Sequence, residues 1–161
     1  MKHLVKLSLA LAAAAAVAVP LALAGPSGGS RTLEFVSVQQ RFTSVPHASR
    51  KSPPRVGLRF VFQDLNYNRR EQFGRPAGAM IGRAEGVCTL IAVSRRPQAQ
   101  CLITAHVPDG QIILAGEGDP GGKVSRYAIV GGLGAYANAR GWITATTLSG
   151  TRTLIAAHLD S

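Results

Sequence analysis

The sequence predicts an all-β protein: an eight-stranded antiparallel β-barrel that follows an N-terminal signal peptide. Three observations carry that expectation. Short β-branched and aromatic runs recur between turn signals. No stretch shows apolar residues at helical period. Glycines stand inside or beside the runs, where the corners of a barrel would fall. The pattern suits an antiparallel sandwich or barrel. About eight strands suit a closed barrel with room inside for side chains or one small ligand. Closure also removes unpaired edges that would aggregate.

The 161 residues suffice for one domain. Residues 1–24 read as a secretory signal peptide. Lys2 and Lys6 form a basic start, Leu7 to Leu23 is apolar and interrupted by Pro20, and Ala22-Leu23-Ala24 is a small-x-small cleavage site. A membrane anchor is the competing reading, but the run is short for a span. Secretion is therefore expected. Residues 25–32 are Gly- and Ser-rich and read as a flexible leader, and 33–161 as the barrel domain.

Within that domain Leu33 to Phe42 is β-branched and aromatic, hence a strand. Thr43 to Pro54 holds three prolines and reads as an exposed loop. Val56 to Asp64 alternates, with Val56, Leu58, Phe60 and Phe62 on one face. Asp64 shares that face, where a carboxylate is costly without a partner. It marks either the end of the strand or a polar pocket. Asn66 to Pro76 is a charged loop. Ala77 to Glu85 is a strand kinked at its glycines, and Val87 to Val93 is a further strand. Gln100 to Val107 pairs with the latter across a hairpin tip at Arg95-Arg96-Pro97. Pro108-Asp109-Gly110 is a tight turn. Gln111 to Ala115 follows, then a glycine-rich acidic loop from Gly116 to Lys123, then a strand from Val124 to Val130. Gly131 to Gly141 reads as a glycine-rich connection. Trp142 to Leu148 and Thr151 to Leu159 close the domain through the Ser149-Gly150 turn.

The connection Gly132-Leu133-Gly134-Ala135-Tyr136-Ala137 fits the G-x-G-x-x-G/A dinucleotide pattern in form only. That pattern needs a helix after it and a further βαβ unit with an acid about 20 residues on. The remaining residues read as β, so no nucleotide cofactor is expected. Two cysteines and the scattered His47, His106 and His158 lack ligand spacing, so no metal is expected either. Export makes a Cys88–Cys101 disulfide the default, with a reactive thiol as the alternative.

The net charge is +10, and without Lys2 and Lys6 it is +8. The basic residues fall at predicted turns and strand ends without interleaved aromatics, and no nucleic-acid module is visible. A solvated basic surface is the plain reading. An anionic cell-surface polymer or membrane surface is the partner such an exterior would suit.

Several motifs come in one order: Gly82-x-x-x-Gly86-Val87-Cys88-Thr89, then Cys101, then Val107-Pro108-Asp109-Gly110-Gln111-Ile112, then Gly116. The series ends in Gly131-Gly132-x-Gly134-x-Tyr136-x-x-Ala139-Arg140-Gly141. Together they resemble the allene oxide cyclase barrel-like and dirigent-like superfamily, particularly its small secreted bacterial members. The resemblance implies an eight-stranded barrel with a cavity, often trimeric, which holds a small apolar lipid-derived or phenolic molecule. It places Asp64 and Cys88 at pocket positions of the cyclases and Arg140 in a motif that supplies a polar pocket contact. The sequence departs from the pattern at Gln39-Gln40, where the cyclases carry a pocket Glu, and at Gly57-Leu58, where the family has Gly-Asp.

Three functions stay open at this level. A binding or dirigent-type barrel would orient a cyclisation or coupling within its cavity. An isomerase would use Asp64 to polarise or accept a proton and Arg140 to stabilise negative charge. A surface-interaction protein would use only the basic exterior, with Arg140 paired to an acid such as Asp64 or Glu85. Phe60, Phe62, Tyr67, Tyr136 and Trp142 are the candidate ligand contacts, although core packing is the commoner use of such aromatics.

Overall fold

A computed structural model describes residues 30–45 and 53–160. The signal peptide, residues 25–29 of the leader and the middle of the Thr43 to Pro54 loop lie outside the described residues. Eight strands form one closed barrel in which each strand pairs with its sequence neighbour and β1 pairs with β8. They are β1 (Arg31–Val45), β2 (Arg59–Asn68), β3 (Met80–Ala92), β4 (Gln98–Val107), β5 (Gly110–Gly118), β6 (Val124–Gly134), β7 (Arg140–Ser149) and β8 (Arg152–Asp160). All pairs are antiparallel.

Several boundaries differ from the sequence expectation: β1 extends to Arg31 and through Val45, Val56 to Leu58 precede β2, β7 begins at Arg140, and four further differences bear on the interior. The segments expected as two strands around Gly86 are one strand, β3. Gly86 is needed there because a Cβ would stand 2.8 Å from the Phe62 ring, which lies over it from β2. β5 runs on through Gly116 and Gly118, since a Cβ at Gly118 would lie 2.1 Å from the Tyr127 hydroxyl. β6 absorbs Gly131 and Gly132, and only Ala135 to Ala139 turns. β2 continues to Asn68, which leaves Asp64 in mid-strand.

Five register shifts adjust the ladder among the described residues, at Gln40 in β1, Ile81 and Ile91 in β3, Val130 in β6 and Leu148 in β7. Such an extra residue bends its strand and resets which side chains point inward.

The interior is filled unevenly. At the end where β6 turns into β7, Leu33, Ile112, Ile129, Tyr136, Ala157 and Leu159 pack together and close the barrel. At the other end a smaller cluster of Leu58, Leu90, Ala99 and Cys101 packs to one side. The space between them is the cavity described below.

Cys88 and Cys101 stand directly opposite in the β3–β4 ladder and form a disulfide with Cα atoms 4.0 Å apart. They lie 13 residues apart in sequence. For a loop of about this length, reduction is expected to cost about 3 kcal/mol of stability. For a domain of this size that lowers Tm by about 10 °C. Calorimetry with and without reductant measures it; an unchanged Tm would mean that the ladder alone holds the two strands.

Candidate functional site

β2 presents Phe60, Phe62, Asp64, Asn66 and Asn68 to the interior by strict alternation. Across the ladder on β1, Ser37 and Gln39 face Asn66 and Asp64. The interior wall is thus apolar toward one end of β2 and polar toward the other.

The cavity has a volume of about 220 Å³. Phe35, Phe62, Leu114, Tyr127, Ile143 and Ile155 form most of its apolar wall, and Ala84, Ala105 and Ala145 leave the space. Asp64 and Ser37 are its polar contacts on the β1–β2 side. The β5–β6 loop, through Asp119, Pro120 and Gly122, lies across its mouth. A second concavity of about 360 Å³ adjoins it and shares Phe62, Cys88, Pro120 and Tyr127 with it. Phe42 and Phe60 line this outer groove, their rings stacked at 5.5 Å.

Among the described residues, Asp64 is the acid that a strand places on the cavity wall, and Asp119 reaches the cavity from the β5–β6 loop. Ser37 Oγ donates a hydrogen bond to Asp64 Oδ2 at 2.8 Å. Asp64 Oδ1 is buried and has no protein partner. Burial raises the Asp64 pKa above its ordinary value, and the Ser37 hydrogen bond opposes that rise. Beside it Asn66 is 0% exposed, and neither polar atom of its amide is hydrogen-bonded by a protein group. Buried polar atoms without partners are rare and call for an explanation. Tyr127 lines the same cavity. Its pKa is also raised by burial, and its hydroxyl lies 3.8 Å from Cys101 Sγ.

The sequence-predicted residues separate into two groups. Phe62, Asp64 and Cys88 line the cavity, and Phe60 and Cys101 line the outer groove. Arg140, Tyr67, Tyr136 and Trp142 do not reach either space. Arg140 is exposed and donates to the carbonyls of Val130 at 3.2 Å and Ala139 at 2.8 Å. It therefore steadies the β6–β7 turn and pairs with neither Asp64 nor Glu85. Glu85 instead meets Arg83 and His106. Tyr136 is buried in the core that closes the far end. Trp142 is 46% exposed on the outer face and stacks on His158. Tyr67 lies on the outer face against Val36, Val38 and Arg152. The disulfide removes any thiol role for Cys88.

Sequence reasoning missed Ser37, Asn66 and Tyr127. A signal for the first two was present. Ser37 continues the Leu33–Phe35 face of β1, and Asn66 continues the Phe60–Phe62–Asp64 face of β2. Tyr127 carried no such signal, because its role follows from the glycine opposite it on β5. Among the described residues, no three His, Cys, Asp or Glu side chains group in a way that could hold a metal.

No family model matches the sequence, and no curated protein matches it. Solved structures do. A pyocyanin demethylase superposes with a TM-score of 0.66 at 22% identity, over 80% of this chain and 99% of that one. An exo-specific intermolecular Diels–Alderase gives 0.67 at 17% identity, over 84% and 100%. A pterocarpan synthase dirigent protein gives 0.61 at 17% identity, over 84% and 85%. At these identities the likeness is one of fold. The chain has the barrel fold that dirigent proteins and these cyclases share, as its glycine motifs led one to expect.

Proposed function

We propose that this barrel of dirigent-like and cyclase-like fold binds a small, mostly apolar molecule and orients its cyclisation or coupling. One observation carries the reading: a cavity with an apolar wall and a strand-borne carboxyl, Asp64, one of whose oxygens has no protein partner. Pockets of this kind hold a ligand by shape and fix its orientation with few polar groups. Confinement in one conformer supplies much of the barrier lowering for an intramolecular ring closure. Asp64, whose pKa burial raises above its ordinary value, is the group to give or take a proton there. The fold-likeness to a dirigent protein and to a Diels–Alderase supports the same reading. The disulfide supports an oxidising location, and the basic N-terminal segment with its apolar run supports export by the general secretory route.

Native mass spectrometry of the protein from its own culture medium tests it. The expected result is a bound compound that is lost on denaturation and is absent from Ala145→Phe, whose ring would fill the cavity. The same spectrum reads the subunit number, three on the resemblance. A species free of ligand that also takes up no apolar probe would overturn the reading.

A further inference from the structure

The two ends of the barrel carry different surfaces. The cavity opens toward the end built by the β1–β2, β3–β4, β5–β6 and β7–β8 connections. Arg55, Arg59, Arg95, Arg96, Lys123 and Arg152 stand there, all exposed. Among the described residues the acids of this end are Glu117 and Asp119, and Asp119 already accepts from the Gly121 N–H. Glu34, Glu71, Asp109 and Asp160 lie at the other end, and Glu85 sits in mid-barrel on β3, where it meets Arg83 and His106. Among the described residues every ion pair uses Glu34 or Glu85, and none involves a cation of the mouth end.

Apolar side chains break the surface at this same end. Val56 and Val93 sit on its connections, and Val45, Val124 and Leu148 at the strand ends beside them. All five are exposed, Val56 by 63%. Phe42 is exposed at the lip of the outer groove. A soluble polyanion would satisfy the arginines but would leave these side chains in water. A lipid interface takes both, apolar tips into the headgroup boundary and cations against phosphates.

We propose that the mouth end docks on an anionic lipid surface, with Val56, Val93 and Leu148 entering the interface and the arginines around them on lipid phosphates. The cavity mouth then faces the membrane, and an apolar molecule passes between lipid and barrel without crossing water. The docking stands independently of what the cavity does to its occupant.

Co-sedimentation of the chain from Gly25 onward, which contains all eight strands, tests it. The vesicles are phosphatidylcholine with and without phosphatidylglycerol. Binding is expected to be at least about tenfold tighter on the anionic vesicles and to weaken with salt. Arg95→Gln with Arg96→Gln is expected to weaken it about thirtyfold, each cation contributing at the surface. Arg69→Gln with Arg83→Gln, at the other end, is expected to change it little. Val56→Ser, Val93→Ser and Leu148→Ser together should weaken vesicle binding yet leave adsorption to dextran sulfate unchanged. Unchanged Tm values establish that the variants are folded. Adsorption to dextran sulfate without vesicle binding would overturn the proposal in favour of an anionic polymer. Equal losses from the two arginine pairs would also overturn it, by showing an unoriented attraction.

Discussion

Gly141→Ala is expected to remove a large share of the barrel's stability, about 2–6 kcal/mol. Gly141 has φ +126°, a conformation in which side chains are strained. A Cβ there would stand 2.0 Å from the His158 carbonyl oxygen and 3.1 Å from its carbon. Those atoms are backbone of β8, hydrogen-bonded in the ladder that closes the barrel onto β1, and cannot rotate away. Strained φ costs about 1–3 kcal/mol, and forcing the strands apart costs a similar ~1–3 kcal/mol. Small domains have about 5–15 kcal/mol to lose. Gly150→Ala is the matched control, because a Cβ at Gly150 meets nothing within 4 Å. Urea denaturation followed by circular dichroism measures both. Equal midpoints for the two variants would show that β7 can shift to take the methyl group.

Asp64→Asn is expected to move stability and turnover in opposite directions. The folded state raises the Asp64 pKa above 3.8, so it holds the proton to a higher pH than the unfolded chain does. The stability linked to this proton is fully present below the unfolded value and is lost as pH rises through the folded one. Asparagine cannot ionise and escapes that loss. The Tm advantage of the variant should therefore be small at acid pH, open through the window between the two pKa values and persist at neutral pH. Ser37→Ala should raise the upper edge of the window and leave the lower one in place, since the Ser37 hydroxyl stabilises the carboxylate only in the folded state. For the compound found in the cavity, loss of the proton carrier should lower turnover about 100-fold or more. A Tm gap that does not vary with pH would refute the buried-carboxylate account. Unchanged turnover would leave the barrel an orienting container in which Asp64 does no chemistry.

Much of the fold was legible along the chain because β-structure writes itself at period two. The Phe60–Phe62–Asp64 alternation identified an inner wall, and the cysteines sat at positions that a hairpin places opposite each other. Strand ends were harder to see. Asn66 and Asn68 look like loop residues, yet they are buried strand residues, since polarity along the chain does not reveal a polar interior. Glycines were read as breaks, although Gly86, Gly118 and Gly132 lie within strands. Each is small because another part of the chain comes close to it: the Phe62 ring, the Tyr127 hydroxyl and the Tyr136 backbone.

By itself the sequence determined the all-β class, the antiparallel order and the disulfide, together with one carboxylate on an apolar face. These depend on local alternation and short-range pairing. Only the tertiary structure decided which large side chains meet that carboxylate. Trp142 and Arg140 share the outward parity of β7, one residue out of step with Ile143, which points in. Tyr136 follows the strand into a turn and packs beneath it. Inward and outward differ by a single residue step along a strand, and a bulge reverses them. The facing of each aromatic is therefore set by the closed ladder and not by its hydrophobicity.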